Sequence, residues 1–148
     1  MSPIADDKPK LSLTNISLNR LLPAMVTPAE VERLSPAAWA YLGDAVYELY
    51  VRTSYLYPAT RLHAYNELVV GQVRAETQAR HLRSLSPYLN STELAIVKRG
   101  RNAAAGRSKR ADPEIYQQAS SLETLVGYLY ITDPERLTQL MALLDLET

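Results

Sequence analysis

Ala37-Ala38-Trp39-Ala40-Tyr41-Leu42-Gly43-Asp44-Ala45-Val46-Tyr47-Glu48-Leu49-Tyr50-Val51 is the stretch that decides the fold. Ser35-Pro36 in front of it is a helix start: a hydroxyl to cap free N–H groups, then proline at the first helical position, where its missing N–H is not needed. The run is apolar around almost its whole circumference, which predicts a buried helix. Two of its residues fit that setting poorly. Asp44 would place a charge among Tyr41, Leu42, Ala45, Val46 and Tyr47, which is costly unless a partner or a cation meets it. Gly43 costs about 1 kcal/mol relative to alanine inside a helix, and is tolerated where another backbone or a substrate comes close. Glu48 lies one turn beyond Asp44 on the same face. Taken alone, the pair also fits two acids on a wet face, with Gly43 serving helix packing.

Further helix starts follow along the chain. Thr60 is placed to cap a helix over about Arg61–Ser84, with Leu62, Tyr65, Leu68, Val69, Val73 and Leu82 as a broken apolar stripe and Pro87 as its stop. Asn90-Ser91-Thr92-Glu93 opens another helix, Asp112-Pro113-Glu114 a fourth, and Thr132-Asp133-Pro134-Glu135 a last amphipathic one. Gly100–Ala111, with two glycines, Asn102 and Ser108, is predicted to be a loop, with room for no more than a frayed helical turn. No alternating β-branched run predicts a strand. The expectation is an all-α domain of about five to seven helices over residues 29–148. Residues 1–28, with four prolines and no sustained period, are expected to form a partly ordered arm.

Composition narrows the chemistry. One domain is expected from 148 residues. With no cysteine, a disulfide scaffold, a thiolate zinc site and a cysteine nucleophile are excluded. The two histidines, His63 and His81, fall five turns apart on the predicted second helix and cannot share a metal within one chain. The start resembles no secretory signal and no run is long enough to span a bilayer, so a cytoplasmic protein is expected. The ten tyrosines and Trp39 are expected in the core or at an interface. Net charge is zero, yet Lys98, Arg99, Arg101, Arg107, Lys109 and Arg110 fall together with no acid between them, and the rest of the chain is correspondingly acidic. A cationic segment that includes Asn102 suits a nucleic-acid backbone, although such runs are also found on plain solvated faces.

Glu123 is a second acid in an apolar frame, Leu122-Glu123-Thr124-Leu125-Val126-Gly127-Tyr128-Leu129-Tyr130, again with a glycine one turn away. Two such helices are expected to pack together and bring their acids face to face. Facing carboxylates suit a hard cation such as Mg²⁺, with Mn²⁺ as a substitute. That donor set belongs to metal-assisted phosphodiester hydrolysis.

Residues 40–48 (Ala40-Tyr41-Leu42-Gly43-Asp44-Ala45-Val46-Tyr47-Glu48) resemble the signature helix of the ribonuclease III catalytic domain. Ser121–Tyr128 resembles its second acidic helix. Lys98-Arg99-Gly100-Arg101-Asn102-Ala103 is similar to a stretch of Mini-ribonuclease III, the short branch of that family. The resemblance covers about Pro28 to Leu146, and no double-stranded-RNA-binding domain follows, as expected of the short branch. It implies an all-α homodimer that cuts double-stranded RNA with Mg²⁺, leaves a 5′-phosphate, and matures the large-subunit (23S) ribosomal RNA precursor. Asp44 and Glu123 match the family's central metal-binding acids. Glu48 fits the motif and Glu67 is matched to a further acid of the larger enzymes; both are secondary candidates. Ala37, Ala40 and Ser120 stand where larger relatives have acids. Lys98, Arg99, Arg101, Asn102, Arg107, Lys109 and Arg110 are expected to contact RNA, mainly through its backbone. A non-catalytic RNA-binding or ribosome-assembly module with ribosomal-protein partners is the alternative, kept open by those two alanines. A helical protein–protein adaptor is a third reading.

Overall fold

The protein is described by a computed structural model covering residues 27–107 and 112–146. Nearly all of the expected arm, together with Lys109 and Arg110, lies outside the described residues. Seven α-helices, and no strand, occur among the described residues: α1 (Pro28–Arg33), α2 (Pro36–Ser54), α3 (Leu62–Val73), α4 (Ala75–Leu85), α5 (Ser91–Ala104), α6 (Pro113–Thr132) and α7 (Pro134–Met141). A 3-10 turn over Ser86–Tyr88 follows α4, where Pro87 was expected to stop it.

The predicted starts are realised by their caps. Ser35 Oγ accepts from Ala38 N at 3.1 Å, Asp112 Oδ1 from Glu114 N at 2.9 Å and Asp133 Oδ1 from Arg136 N at 3.1 Å. Asn90 and Glu93 exchange side-chain-to-backbone bonds as a capping box. Glu93 is also the anchor between α5 and α7: it is 2 % exposed and accepts two bonds from Arg136, at 2.8 and 2.9 Å. The guanidinium holds the Glu93 carboxyl below the usual carboxylate range, against the desolvation that opposes it.

Three expectations need correction. The long second helix is two helices, broken at Arg74, whose backbone is extended (φ −70°, ψ 153°). The break is stabilised by side chains of α4 that take carbonyls from the end of α3: Thr77 Oγ1 donates to Gly71 and Gln78 Nε2 to Val73. The first of the pair starts after Arg61, without a side-chain cap from Thr60, and its Leu62 is exposed. Finally, residues 100–104 are helical, because Arg101, Ala103 and Ala104 are good helix formers that extend α5 past Gly100.

Helix α6 is central, packed against α2, α4, α5 and α7. Around it Trp39, Tyr47, Leu85, Leu122, Leu125, Leu137, Leu140 and Met141 are fully buried. The α2–α6 approach is main chain on main chain. A Cβ on Gly43 would collide with the Glu123 carbonyl, and one on Gly127 with the Trp39 carbonyl. α2 buries Trp39, Gly43, Val46, Tyr47 and Val51 but leaves Tyr41, Ala45 and Leu49 exposed, so it is buried on one face rather than all round. Gly43→Ala should lower the unfolding free energy by about 3 kcal/mol, since neither backbone can yield. Gly71→Ala, where a Cβ meets nothing within 4 Å, should be neutral or stabilising by up to about 1 kcal/mol. Urea melts followed by circular dichroism give both values, and a fully stable Gly43→Ala protein would show that the two helices are not in backbone contact.

Candidate active site

Because Gly43 lets α2 press onto α6 at Glu123, the residue after Gly43 and the side chain of Glu123 open into one cleft. Asp44 and Glu123 both line it, in a cavity of about 330 Å³. The other walls come from Ala37, Ala40 and Tyr41 one and two turns before Asp44, from Tyr116, Ser120 and Thr124 on α6, and from Gly100, Ala103, Ala104 and Arg107. The sequence therefore brings its two principal acids together, and on the side of the cationic segment. The expectation that both lie in an apolar interior is not met: Glu123 is half-buried in the cleft wall and Asp44 is exposed.

Glu48 and Glu67 do not line the cleft. Glu48 pairs with Arg52 at 2.7 Å, one turn further along α2, and acts on Asp44 only through its charge. Glu67 is exposed on α3 and pairs with His63 at 3.1 Å. His81 is buried elsewhere: the Tyr47 hydroxyl donates to the Gln72 carbonyl at 2.9 Å, which leaves His81 Nδ1 to donate to that hydroxyl, also at 2.9 Å.

Ala37, Ala40 and Ser120, the positions singled out as lacking acids, all face the cleft. Sequence reasoning missed Tyr116 and Thr124. Helical spacing would have found them, since Tyr116 and Ser120 lie two turns and one turn before Glu123 on its own face. Thr124 Oγ1 donates to the Ser120 carbonyl at 2.7 Å, and its side chain fills the space a Cβ on Gly100 would take. The hydroxyl thus spaces α5 from α6.

The electrostatics follow from burial. Desolvation, with the Asp44 charge second, pushes the Glu123 carboxyl up to about 8. Asp44 is also raised, by desolvation first and then by Glu48. Near neutral pH the pair therefore tends to hold a proton on Glu123, the more enclosed member. A cation between the two would remove the reason for that proton.

The cationic residues divide by what they touch. Arg99 lies 4.8 Å from the ring centroid of Trp39, which itself meets Tyr128 edge-on at 5.3 Å. Arg101 pairs with Glu114 of α6 at 2.8 Å. Lys98 and Asn102 are exposed on α5. Arg107, just beyond the helix, reaches the cleft.

The donor set fits a small hard divalent ion. Mg²⁺ commonly takes one or two carboxylates and fills its remaining positions with water and substrate phosphate oxygens; the two carboxylates that line this cleft meet that description. A closed all-protein cage is absent: no group of three or more His, Asp or Glu side chains able to hold a metal occurs among the described residues.

Residues 37–134 match the family model of the ribonuclease III domain. The chain is 51 % identical to Mini-ribonuclease 3 of Synechocystis sp. over 137 residues, covering 90 % of this chain and 96 % of that protein. It is 54 % identical to Mini-ribonuclease 3 of Synechococcus sp. over 116 residues, covering 78 % and 84 %. Among solved structures, a protein from Fusobacterium nucleatum superimposes with a TM-score of 0.68 at 26 % identity, over 74 % of this chain and 91 % of that one.

A Glu123 carboxyl raised to about 8 predicts a pH signature. The unfolded chain loses this proton near the ordinary glutamate value of about 4.5, the folded one only near 8. Native stability therefore falls as pH rises across that window and is unaffected by Glu123 below it. Glu123→Gln removes the fall, so the variant should gain over the wild type from pH 5 to pH 8 by an amount on the order of 2–4 kcal/mol. Mg²⁺ or Mn²⁺ should raise the melting temperature of the wild type at pH 8 and not that of the variant. Parallel stability curves for the two proteins would contradict the assignment.

Proposed function

The chain belongs to the ribonuclease III family, a family of endoribonucleases, and from that premise we propose that it is a divalent-metal-dependent enzyme that cuts double-stranded RNA. The observation that supports this best is the meeting of Asp44 and Glu123 in one cleft beside the cationic end of α5. Asp44 and Glu123 would hold a Mg²⁺ ion, which would supply Lewis-acid activation of the phosphodiester. Glu123 would serve as a ligand in its ionised form, its proton passing to solvent. Asp44 on α2 and Glu123 on α6 would thereby set where the ion sits relative to both helices. A water oxygen bonds to phosphorus and releases a proton to solvent, the bond to the 3′-oxygen breaks and that oxygen takes a proton from solvent, and the products are a 3′-hydroxyl and a 5′-phosphate. Lys98, Arg101, Asn102 and Arg107, with Lys109 and Arg110 of the same segment, attract the RNA backbone. Arg99 has its guanidinium over Trp39, so its part is structural more than RNA-binding.

The working unit is a homodimer. Tyr41, Ala45 and Leu49 form an exposed apolar row on α2, and Tyr41 is 87 % exposed; a second copy is the occupant that would give two clefts for two strands. The substrate is a ribosomal RNA precursor of the large subunit, handled in the cytoplasm, as the resemblance to the short branch of the family implies. No helix among the described residues is long and apolar enough to cross a membrane. One observation favours a non-catalytic RNA-binding module instead: Ala37, Ala40 and Ser120 leave the cleft with two carboxylates.

Asp44→Asn and Glu123→Gln should each slow cleavage of a duplex RNA by about a hundredfold or more while the circular dichroism spectrum is unchanged. Chelation with EDTA should stop the wild type, and Mg²⁺ should restore it. Binding of duplex without any cutting, with or without Mg²⁺, would favour the module.

A further inference from the structure

The seven residues expected to meet RNA are not equivalent in the folded chain. Arg99 is stacked on Trp39 and Arg101 is paired with Glu114. Lys98 is exposed on α5 and lines no part of the cleft. Among the described residues, only one basic side chain lines the cavity that contains Asp44 and Glu123: Arg107.

How Arg107 gets there is a matter of backbone. Helix α5 lines the cleft with Gly100, Ala103 and Ala104, and the chain turns beyond its end at Ala104. Gly106 makes that turn with φ 76°, a left-handed conformation in which a side chain is strained. A Cβ there would meet nothing within 4 Å, so glycine is required by the dihedral and not by crowding. Arg107 N then donates to the Ala104 carbonyl at 3.2 Å, and Ala105 N to that of Asn102 at 3.3 Å. These bonds close the helix end and fix where the Arg107 side chain departs.

No ion pair joins Arg107 to Asp44, to Glu123 or to any other acid among the described residues. Neither carboxylate is shifted by it. Arg107 therefore shares the cleft with the two acids without an ion pair to either. A phosphodiester drawn into the cleft by a cation on the two acids would present its oxygens to the Arg107 guanidinium. Guanidinium binds phosphate oxygens through paired N–H donors, and a donor aimed at a phosphate whose charge rises during attack accelerates the reaction more than it tightens binding.

We propose that Arg107, placed at the cleft just beyond the left-handed Gly106, contacts the phosphate that is cut and acts on the rate of cleavage, while the exposed Lys98, outside the cleft, acts on affinity. The assignment rests on the nuclease reading above. It is tested with single-turnover cleavage of an end-labelled, fully paired RNA duplex at saturating protein and Mg²⁺, alongside binding measured with Ca²⁺ in place of Mg²⁺ over a range of salt. Arg107 is exposed, and Arg107→Ala should melt like the wild type. Its saturated rate should fall by about 10- to 100-fold with affinity changed by less than about threefold. Arg107→Lys, which keeps the charge and loses the fork, should recover part of the rate. Lys98→Ala removes an equal charge outside the cleft and should weaken binding and flatten its salt dependence. If the wild type cuts and Arg107→Ala reaches the same saturated rate, the assignment is wrong and the nuclease reading stands. If the wild type binds duplex and cuts nothing, the nuclease reading fails, and this assignment with it.

Discussion

Two glycines, Gly43 and Gly127, allow α2 and α6 to touch through their main chains, and the cleft that holds Asp44 and Glu123 depends on that contact. Each glycine removes the one carbon that would separate the helices: at Gly43 it would meet the carbonyl of Glu123, at Gly127 that of Trp39. Asp44 follows the first glycine and Glu123 precedes the second by a turn. The relative position of the two acids is thereby set by peptide groups, which have no rotamers, and not by the packing of flexible side chains. The cost is local. Both glycines weaken their helices, and a carboxyl on Glu123 is forced into a desolvated wall where it holds its proton.

The third wall, α5, is held at both ends by different means. At its start the buried Glu93 joins the capping box to Arg136 on α7. Further along, Gly100 closes on Thr124, Arg99 covers Trp39, and Arg101 reaches Glu114. Much of the positive charge that looks available to RNA in the sequence is committed to this task. The helix is consequently a stiff wall for most of its length and becomes a turn only at Gly106.

Local signals in the sequence were legible because they act locally. Ser35-Pro36, Asn90 to Glu93, Asp112-Pro113 and Asp133-Pro134 each satisfy N–H groups within a few residues, so the starts of α2, α5, α6 and α7 follow from composition alone. The pairing of Asp44 with Glu123 was legible for another reason: an acid and a glycine recur together in two apolar helices, and few arrangements satisfy both. The break at Arg74 was not legible, because Thr77 and Gln78 reach back across it only once both helices exist. The helical state of residues 100–104 was obscured by Gly100 and Asn102, whose weak propensity is outweighed by the contact with Thr124. Tyr116 and Thr124 escaped notice because a cleft-lining role depends on which face of α6 turns toward α5, and sequence does not give that rotation.

Trp39 is the only indole in the chain. It is wholly enclosed, with a guanidinium 4.8 Å from its ring centroid, a tyrosine edge against it, and a ring nitrogen that finds no acceptor. Its emission comes from one chromophore in one environment, where α2, α5 and α6 converge. Any rearrangement that lifts Arg99 or slides α5 changes the field and the quenching at that ring. The protein thus contains its own optical probe, one that needs no label and reports on the seam beside the cleft.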